Sequence, residues 1–441
     1  METRENKRMR NQESLDREKQ EEIDSDKLGS LPDSILTHIL SLIDTRTAVQ
    51  TSVLSKRYRF LWTSLPSLNF YYFGQSRLNF TSLVDHVLGC RDDTNLTGFR
   101  LSLYKEVAAG CISDCISYAV RHKVQNLSVR AYTKHSLITL TNLFNASSSL
   151  RTLRLTNATS CNIELPKSVS LPELKVLMLK NFEFSSQNYN ADILFGCPNL
   201  ETLILNKCLI RKRDYLKALN VNCPNLKHLE IRYWRSVWEH FDEYVINVTA
   251  PKLVSFKFQG HLMRVNFKRN LLCLDTVCAD LCYPTACKTV NVSHRRRRTA
   301  QSFIYMLGRL CNVKSLFVSL KTIEALSSIP NFRKFPISSI FRKLRYIKFT
   351  VKDKYTEMNA SIDTVAQLLK RANTKFLVFS LTKEQILSIN LKPPSMKSRH
   401  KDANPITIPT HLMSHILESS PSAEVLVIEL PKVLLFQMER V

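Results

Sequence analysis

Cys197-Pro198-Asn199-Leu200-Glu201-Thr202-Leu203-Ile204-Leu205 holds the pattern that decides the fold. Its apolar residues stand at the first, fourth and sixth positions of Leu-x-x-Leu-x-Leu, and Cys-Pro-Asn precedes them. Twenty-six residues on, Cys223-Pro224-Asn225 introduces LKHLEI at Leu226, and twenty-six residues back LKVLML begins at Leu174. Further outward lie LTGFRL at Leu96, VQNLSV at Val124, LRTLRL at Leu150, LVSFKF at Leu253, VKSLFV at Val313 and LRYIKF at Leu344. A weaker unit lies near Leu274, and AEVLVI at Ala423 closes the series. From Leu96 to Leu253 the starts are 28, 26, 24, 26, 26 and 27 residues apart. A period in this range belongs to leucine-rich repeats: a short strand turns its apolar edge inward and the rest of the unit returns over the back. One unit cannot bury its leucines, but a stack shares one core. The expected fold class is therefore an α/β repeat, a leucine-rich-repeat solenoid with a curved parallel sheet and helices or loops on the convex side. Pro198 and Pro224 are read as ending a preceding helix.

Composition agrees with a folded chain. Of 441 residues 44 % are hydrophobic and 23 % charged, and eight glycines do not suit a Gly-rich phosphate-binding fold. No apolar run approaches the roughly 18–20 residues that cross a bilayer, and the N-terminal stretch has no apolar core of a secretion signal. The expected location is intracellular, nucleus and/or cytoplasm, with no membrane partner. In such a place Asn-x-Ser/Thr matches such as Asn79, Asn126 and Asn247 carry no glycosylation meaning. The net charge is +25, yet residues 1–26 hold six basic and nine acidic groups, so the remainder carries +28. A basic folded part favours acidic partners.

Before the repeats lies a different texture. Residues 1–25 form a charged tail read as disordered, and three short helical patterns occupy residues 26 to about 65. Ser30, with Asp33 three residues later and Pro32 in the first turn, reads as a capping box. Leu31, Ile35, Leu36, Ile39, Leu40 and Ile43 then share one broad face. Ala48, Val49, Val53 and Leu54 repeat the arrangement, and Tyr58, Leu61, Trp62 and Leu65 form a third stripe that Ser55 could cap. Three helices of this length bury too little to stand alone, so either the rest of the chain or a partner must cover them.

The run DKLGSLPDSILTHILSLIDTRTAVQTSVLSKRYRFLWTSLPSLNF resembles the F-box of plant F-box proteins: Leu-Pro-Asp, Ile-Leu, Ile-Leu-Ser, Ala-Val-x-Thr-Ser-Val-Leu-Ser-Lys-Arg and Leu-Trp follow in the family's order. Ile43 and Tyr58 depart from it, standing where the family usually has Pro and Trp. The resemblance implies a small three-helix F-box that docks on a Skp-type adaptor and, through it, on a cullin/RING ubiquitin ligase core. By that resemblance the adaptor-facing or interface-supporting positions are Leu31, Pro32, Ile35, Leu36, Ile39, Leu40, Val49, Val53 and Leu54. An F-box followed by irregular repeats resembles the plant F-box/leucine-rich-repeat group, and the region beyond Leu344 resembles the FBD domain that often follows. The expected organisation is 1–25 tail, 26–70 F-box, 71–350 leucine-rich repeats and 351–441 degenerate repeats or FBD-like region, with 391–405 an exposed loop.

Repeat geometry also places a ligand. Residues beside the inward leucines project to the concave face, and Arg130, Arg154, Lys180, Arg232, Lys257 and Lys348 make a basic column there, suited to an acidic or phosphorylated segment of a protein substrate. Tyr233, Trp234 and Trp238 could add an aromatic anchor or pack against the next repeat. The four arginines Arg295 to Arg298 are open to two readings, an import or nucleic-acid signal and a solvated loop. No RNA-binding signature accompanies them, so nucleic acid is disfavoured. Cys273, Cys278, Cys282 and Cys287 lack the CxxC spacing of a zinc site, so no metal is expected. No cofactor or catalytic motif stands out; Cys111 and Cys115 lie in a helical pattern without an activating His. The expected role is a non-catalytic substrate receptor of a ubiquitin ligase. The rival is a basic repeat protein that binds nucleic acid or phosphorylated ligand with no ligase role.

Overall fold

Alternation with period two recurs through the chain, and each such run is a strand paired in parallel with the equivalent run of the next repeat. The computed structural model describes residues 28–74, 80–131, 148–157, 163–164, 169–184, 196–210, 218–233, 245–260, 264–268, 271–281, 312–319, 346–350 and 425–429, with Leu194, Phe303, Tyr305, Met306, Thr322 and Lys343 besides. They fall into two compact units, Met1–Tyr132 and Thr133–Val441.

In the first unit, helix α1 (Asp33–Leu42) and helix α2 (Thr45–Gln50) lead into two 3-10 segments, Thr51–Val53 and Tyr58–Ser64. Strand β1 (Ser67–Tyr72), helix α3 (Phe80–Cys90), strand β2 (Gly98–Leu103), helix α4 (Ala109–Arg121) and strand β3 (Asn126–Ala131) follow. The three strands are parallel, with Phe70, Leu101 and Val129 aligned across them. β1 precedes Leu96, where the repeat pattern first becomes plain; its Leu65-x-x-Leu68-x-Phe70 is the same unit with a phenylalanine at the sixth position, and all three residues are buried.

The expected capping box is not what opens α1. Its N-cap is Pro32, which makes no side-chain cap. Ser30 stands two residues too early; Arg57 braces this end without capping it, since a guanidinium donates and the first N–H groups of a helix need an acceptor. The Arg57 guanidinium donates to Asp33 Oδ1 at 2.7 Å and to the carbonyls of Gly29 and Leu31. Helix α2 is capped by Asp44, which accepts from Thr47 N at 3.0 Å and Thr47 Oγ1 at 2.6 Å.

The F-box helices rest on the first strand. Asn69 of β1 donates through Nδ2 to the carbonyls of Ser41 and Ile43, and its own N–H donates to Thr45 Oγ1 at 2.7 Å. Arg91 ties the other end: its covered guanidinium donates to the carbonyls of Leu65, Asp92 and Thr94 and to Thr94 Oγ1, at 2.9 to 3.1 Å. Cover for a unit too small to stand alone thus comes in part from its own chain.

The second unit holds β4 (Thr152–Asn157), the short β5 (Ile163–Glu164), β6 (Val176–Lys180), β7 (Phe182–Phe184), β8 (Thr202–Asn206), β9 (Leu209–Ile210) and β10 (Ala218–Asn222). After them come β11 (His228–Arg232), β12 (Val245–Thr249), β13 (Ser255–Gly260), β14 (Arg264–Phe267), β15 (Thr276–Leu281), β16 (Ser315–Ser319), β17 (Tyr346–Thr350) and β18 (Val425–Glu429). β4, β6, β8, β11, β13, β15, β16, β17 and β18 neighbour one another in that order in one parallel sheet. Leu153, Leu177, Leu203, Leu229, Phe256, Val277 and Leu316 are buried along one row; Leu155, Leu179, Leu205, Ile231, Phe258, Ala279 and Val318 follow along the next. Leu150, Leu174, Leu200, Leu226, Leu253, Leu274 and Val313, the first positions of the repeats, are buried too. The apolar spine of the repeat unit is therefore the core of a solenoid-like stack.

The back of the stack corrects one expectation. Pro224 does not end a helix: β10 runs up to Asn222, β12 stands in the same place before Pro251, and β14 before the next repeat. These return strands form a second parallel sheet, β10-β12-β14. Leu219 and Val221, Ile246 and Val248, and Val265 and Phe267 alternate inward, a period-two signal that was present in the sequence. On their other face Asn220, Asn247 and Asn266 are in register. Asn247 donates to Asn220 Oδ1 at 2.9 Å and Asn266 to Asn247 Oδ1 at 3.3 Å, an amide ladder. The short strands β5, β7 and β9 make a third such sheet.

The Cys-Pro-Asn signature has its own explanation. Asn199 donates to the carbonyl of Pro172 at 2.9 Å and Asn225 to that of Pro198 at 3.0 Å, so each asparagine ties its turn to the preceding repeat. Cys197 and Cys223 fill small buried spaces beneath. At the strand exits Asn181, Lys207, Tyr233 and Gly260 all have positive φ, and the first three donate their backbone N–H to the next repeat. Gly260, at φ 118, is required there, since a Cβ would lie 2.9 Å from Tyr233 Cα.

Candidate docking face and repeat surface

The residues expected to face an adaptor divide by the pitch of α1. Leu36 is 2 % exposed and, with Leu40, lies inside the first unit, so both support the face from behind. Ile35 is 45 % exposed and Ile39 also faces outward; Val53 at 85 % and Leu54 at 70 % are almost bare in the 3-10 turn and the residue after it. Pro32 is exposed, and Leu31 and Val49 are half-buried. Leu42 and Phe60 are exposed as well and belong with this apolar set; no repeat in spacing marked them. Trp62, of the third apolar stripe, is buried beside the ring of His86. Ile43, in place of the family's usual Pro, leaves α1 in extended conformation, and Tyr58 is half-buried.

On the second unit's sheet, register places Arg154, Met178, Ile204, Glu230, Lys257, Cys278, Phe317 and Lys348 in one row. Thr156, Lys180, Asn206, Arg232, Gln259 and Asp280 form the next. The candidate cations Arg154, Lys180, Arg232, Lys257 and Lys348 thus occupy one face of that sheet, while Arg130 belongs to the first unit.

Electrostatics changes what that face can do. Glu230 pairs with Arg232, Nε to Oε1 at 2.5 Å and Nη2 to Oε2 at 2.7 Å, and with Lys257 Nζ at 2.9 Å. Burial opposes ionisation of Glu230, but hydrogen bonds from Arg232 and Lys257 prevail and hold its carboxyl below the ordinary value. The same contact raises the Arg232 guanidinium. Next to it Gln259 donates to Tyr233 Oη at 2.7 Å and to Asp280 at 3.0 Å. Two of the expected cations therefore share an anion, and the centre of the face is an ion-pair network rather than a bare basic stripe. Met178 and Ile204 lie between Arg154 and this network and give it an apolar flank.

Burial suppresses the chemistry of three thiols in the repeats. Burial pushes the Cys197 thiol up to about 11 and those of Cys208 and Cys223 up to about 12. Cys111 and Cys115 are buried on α4; the hydrogen bond between them raises Cys115, and burial adds to it. Cys273 and Cys278 belong to the group judged unfit for zinc, and no cluster of metal-ligating side chains occurs among the described residues. Among those residues no helix is long and apolar enough to cross a membrane. Trp234, Trp238, Arg295 to Arg298, Cys282, Cys287, residues 1–25 and the loop 391–405 lie outside the described residues, as does the FBD-like region except β18.

Comparison with known proteins agrees with both textures. Residues 28–70 match the F-box domain, and residues 113–273 match the family described as FBD-associated F-box protein At5g56370, LRR repeats. The chain is 35 % identical to F-box/LRR-repeat protein 25 of Arabidopsis thaliana over 40 % of its own length and 65 % of that protein. It is 31 % identical to F-box/FBD/LRR-repeat protein At4g26340 over 40 % of its length and 42 % of that protein. With FBD-associated F-box protein At1g66310, also from Arabidopsis thaliana, identity is 27 % over 94 % of this chain and 92 % of the other. The chain thus spans less than two thirds of the first two relatives and nearly all of the third. F-box helices seated on the first strand of a leucine-rich stack, with these matches at both, support a plant F-box/leucine-rich-repeat family like that of the FBD-associated F-box proteins.

Proposed function

We propose that this chain is the substrate-recognition subunit of a Skp-cullin-F-box ubiquitin ligase. The F-box docks on the Skp-type adaptor and through it on the cullin/RING core, and the repeats hold the protein to be ubiquitinated, in the nucleus and/or cytoplasm. One observation carries the reading: Ile35, Ile39, Leu42, Val53, Leu54 and Phe60 stay exposed on a unit whose interior Leu36, Leu40, Ala48 and Trp62 already fill. Several large apolar residues left exposed on so small a unit mark a protein contact. The chain itself is non-catalytic in this reading and acts by proximity, raising the concentration of substrate near the charged carrier. The rival reading, a basic repeat protein for nucleic acid, loses support where Glu230 neutralises part of the charge on Arg232 and Lys257.

Co-expression with a plant Skp-type adaptor tests this. A stoichiometric complex is expected, and Val53→Asp with Leu54→Asp should weaken it at least about 100-fold. Each side chain contributes about 1.5–3 kcal/mol when fully buried, and a carboxylate in its place must be desolvated. Both positions are exposed, so the folded chain should be unaffected. No complex, or one indifferent to the double substitution, would sink the proposal.

A further inference from the structure

The first unit carries a second exposed cluster, at the exits of β1, β2 and β3 on the face opposite Leu68, Phe70, Phe99, Leu101 and Val129. Phe73 is 61 %, Tyr104 40 % and Tyr71 39 % exposed. Phe73 and Tyr104 stack with ring centroids 4.7 Å apart at 13°. The Arg130 guanidinium lies 4.7 Å from the Tyr104 centroid, on the ring face that Phe73 leaves free, since two groups cannot occupy one face. Arg100 Nη1 reaches Tyr71 Oη at 3.3 Å. Tyr71, Ser102 and Arg130 are in one register row, with Arg100 in the row before. Ser102, the small residue among these large ones, is buried and forms the floor.

Charge here is uncompensated. Among the described residues neither Arg100 nor Arg130 meets a carboxylate, unlike Arg232 and Lys257 on the second unit. Glu106, two residues beyond Tyr104, is exposed and forms no ion pair with either arginine among the described residues. Tyr71 Oη and the Tyr104 ring hold the two guanidiniums at separate points, and the backbone positions that carry them are one strand and two residues apart. A guanidinium takes one carboxylate through its paired N–H donors. Carboxylates at alternate positions of an extended chain stand on one face about 6.8 Å apart, so each can meet a guanidinium of its own. A single phosphate would need both guanidiniums to converge. A run of stacked bases would need several open ring faces, and both faces of Tyr104 are taken.

We propose that Tyr71, Phe73, Arg100, Tyr104 and Arg130 form a docking site for an extended acidic peptide segment with carboxylates at alternate positions beside an aromatic or large apolar residue. The acidic side chains pair with Arg100 and Arg130, and the apolar neighbour covers Phe73. The site deepens the proposed substrate reading by naming the chemistry of the segment recognised, and it rests on that reading only for its biological use.

The test uses the full chain co-purified with its adaptor and a fluorescein-labelled heptapeptide, Gly-Phe-Glu-Ser-Glu-Phe-Gly, followed by anisotropy. Binding should be at least roughly tenfold tighter than to the peptide with Gln at both Glu positions. Raised salt should weaken it. Arg100→Gln with Arg130→Gln should remove the preference, and Tyr104→Ala should weaken binding, with the melting temperature and adaptor capture unchanged. Equal binding of the Gln peptide overturns the proposal. So does a preference for a peptide with one central phosphoserine between glutamines, or for a single-stranded RNA oligomer, and so does binding that survives the double substitution. Adaptor capture without peptide binding sinks this site and leaves the ligase reading standing. Peptide binding without adaptor capture does the reverse.

Discussion

Arg91→Met should loosen the seam between the F-box and the first repeats, because this arginine is a buried clamp rather than a surface charge. Its side chain has no exposed surface, and its nearest carboxylate oxygen, Asp92 Oδ1, lies 4.0 Å away. Its two Nη groups meet mostly backbone: Leu65 O and Thr94 O at 2.9 Å, Asp92 O at 3.1 Å, and the Thr94 hydroxyl at 2.9 Å, while Nε has no partner. Methionine keeps the stem's volume and removes every donor. Leu65 O and Asp92 O then lose this donor, at about 1–3 kcal/mol for each carbonyl left without one, while Thr94 O keeps the His122 ring at 3.3 Å. Relief from burying a charge offsets part of this, so a net loss of about 3 kcal/mol is expected. For a unit of this size that is a fall of roughly 10 °C in melting temperature. Hydrogen-exchange mass spectrometry on the full chain locates the effect: peptides spanning 60–72 and 92–103 should lose protection by two orders of magnitude or more, while those spanning 200–232 keep theirs. Arg91→Lys, which has one point donor on a flexible stem, should fall between. A change below about 0.5 kcal/mol, or one spread evenly over both units, would refute the clamp.

Two further predictions concern the repeats. Asn247→Ala removes the middle rung of the amide ladder, leaving Asn220 Oδ1 and the Asn266 amide without partners. A loss of about 1–2 kcal/mol in urea unfolding is expected, against little change for the single-rung control Asn266→Ala. For Glu230 the folded carboxyl titrates below its ordinary 4.5, so its stabilising contribution is complete above that value and is lost as pH falls through the lower folded one. Glu230→Gln should therefore lower stability at pH 7 and flatten its decline below about pH 4.5. A variant that keeps the wild-type acid slope would show that the pairs with Arg232 and Lys257 do not stabilise the fold.

Much of the architecture was legible because leucine-rich repeats write their core into local spacing. Leu200, Leu203 and Leu205 are buried where Leu-x-x-Leu-x-Leu puts them, and the same holds from Leu96 to Val313. The first rung at Leu65 was harder to see because Phe70 replaces the last leucine and the strand follows directly on the F-box. The return strands β10, β12 and β14 were missed although Leu219, Val221, Ile246 and Val248 alternate. Each run is only four or five residues long, and a short apolar alternation acquires meaning only when its neighbours stack beside it. The brace that Arg57 gives the segment entering α1 was missed for a related reason: a contact from twenty-odd residues away has no local spacing to read.

Site chemistry divided along the same line. The sequence by itself determined the period of the repeat, the inward row of leucines, the apolar character of SLPDSILTHIL and the net basic charge, since each is a property of neighbours in the chain. Only tertiary structure decided which of those apolar residues remain outside, because the pitch of α1 turns Leu36 and Leu40 inward and leaves Ile35 and Ile39 free. It also decided which cations are available. Glu230 reaches Arg232 along its own strand and Lys257 on the next, whereas Arg100 and Arg130 meet aromatic rings and a hydroxyl instead of an acid. Charge counts sum over the chain, but recognition depends on which charges a neighbour has already satisfied, and parallel strands bring together neighbours some 26 residues apart.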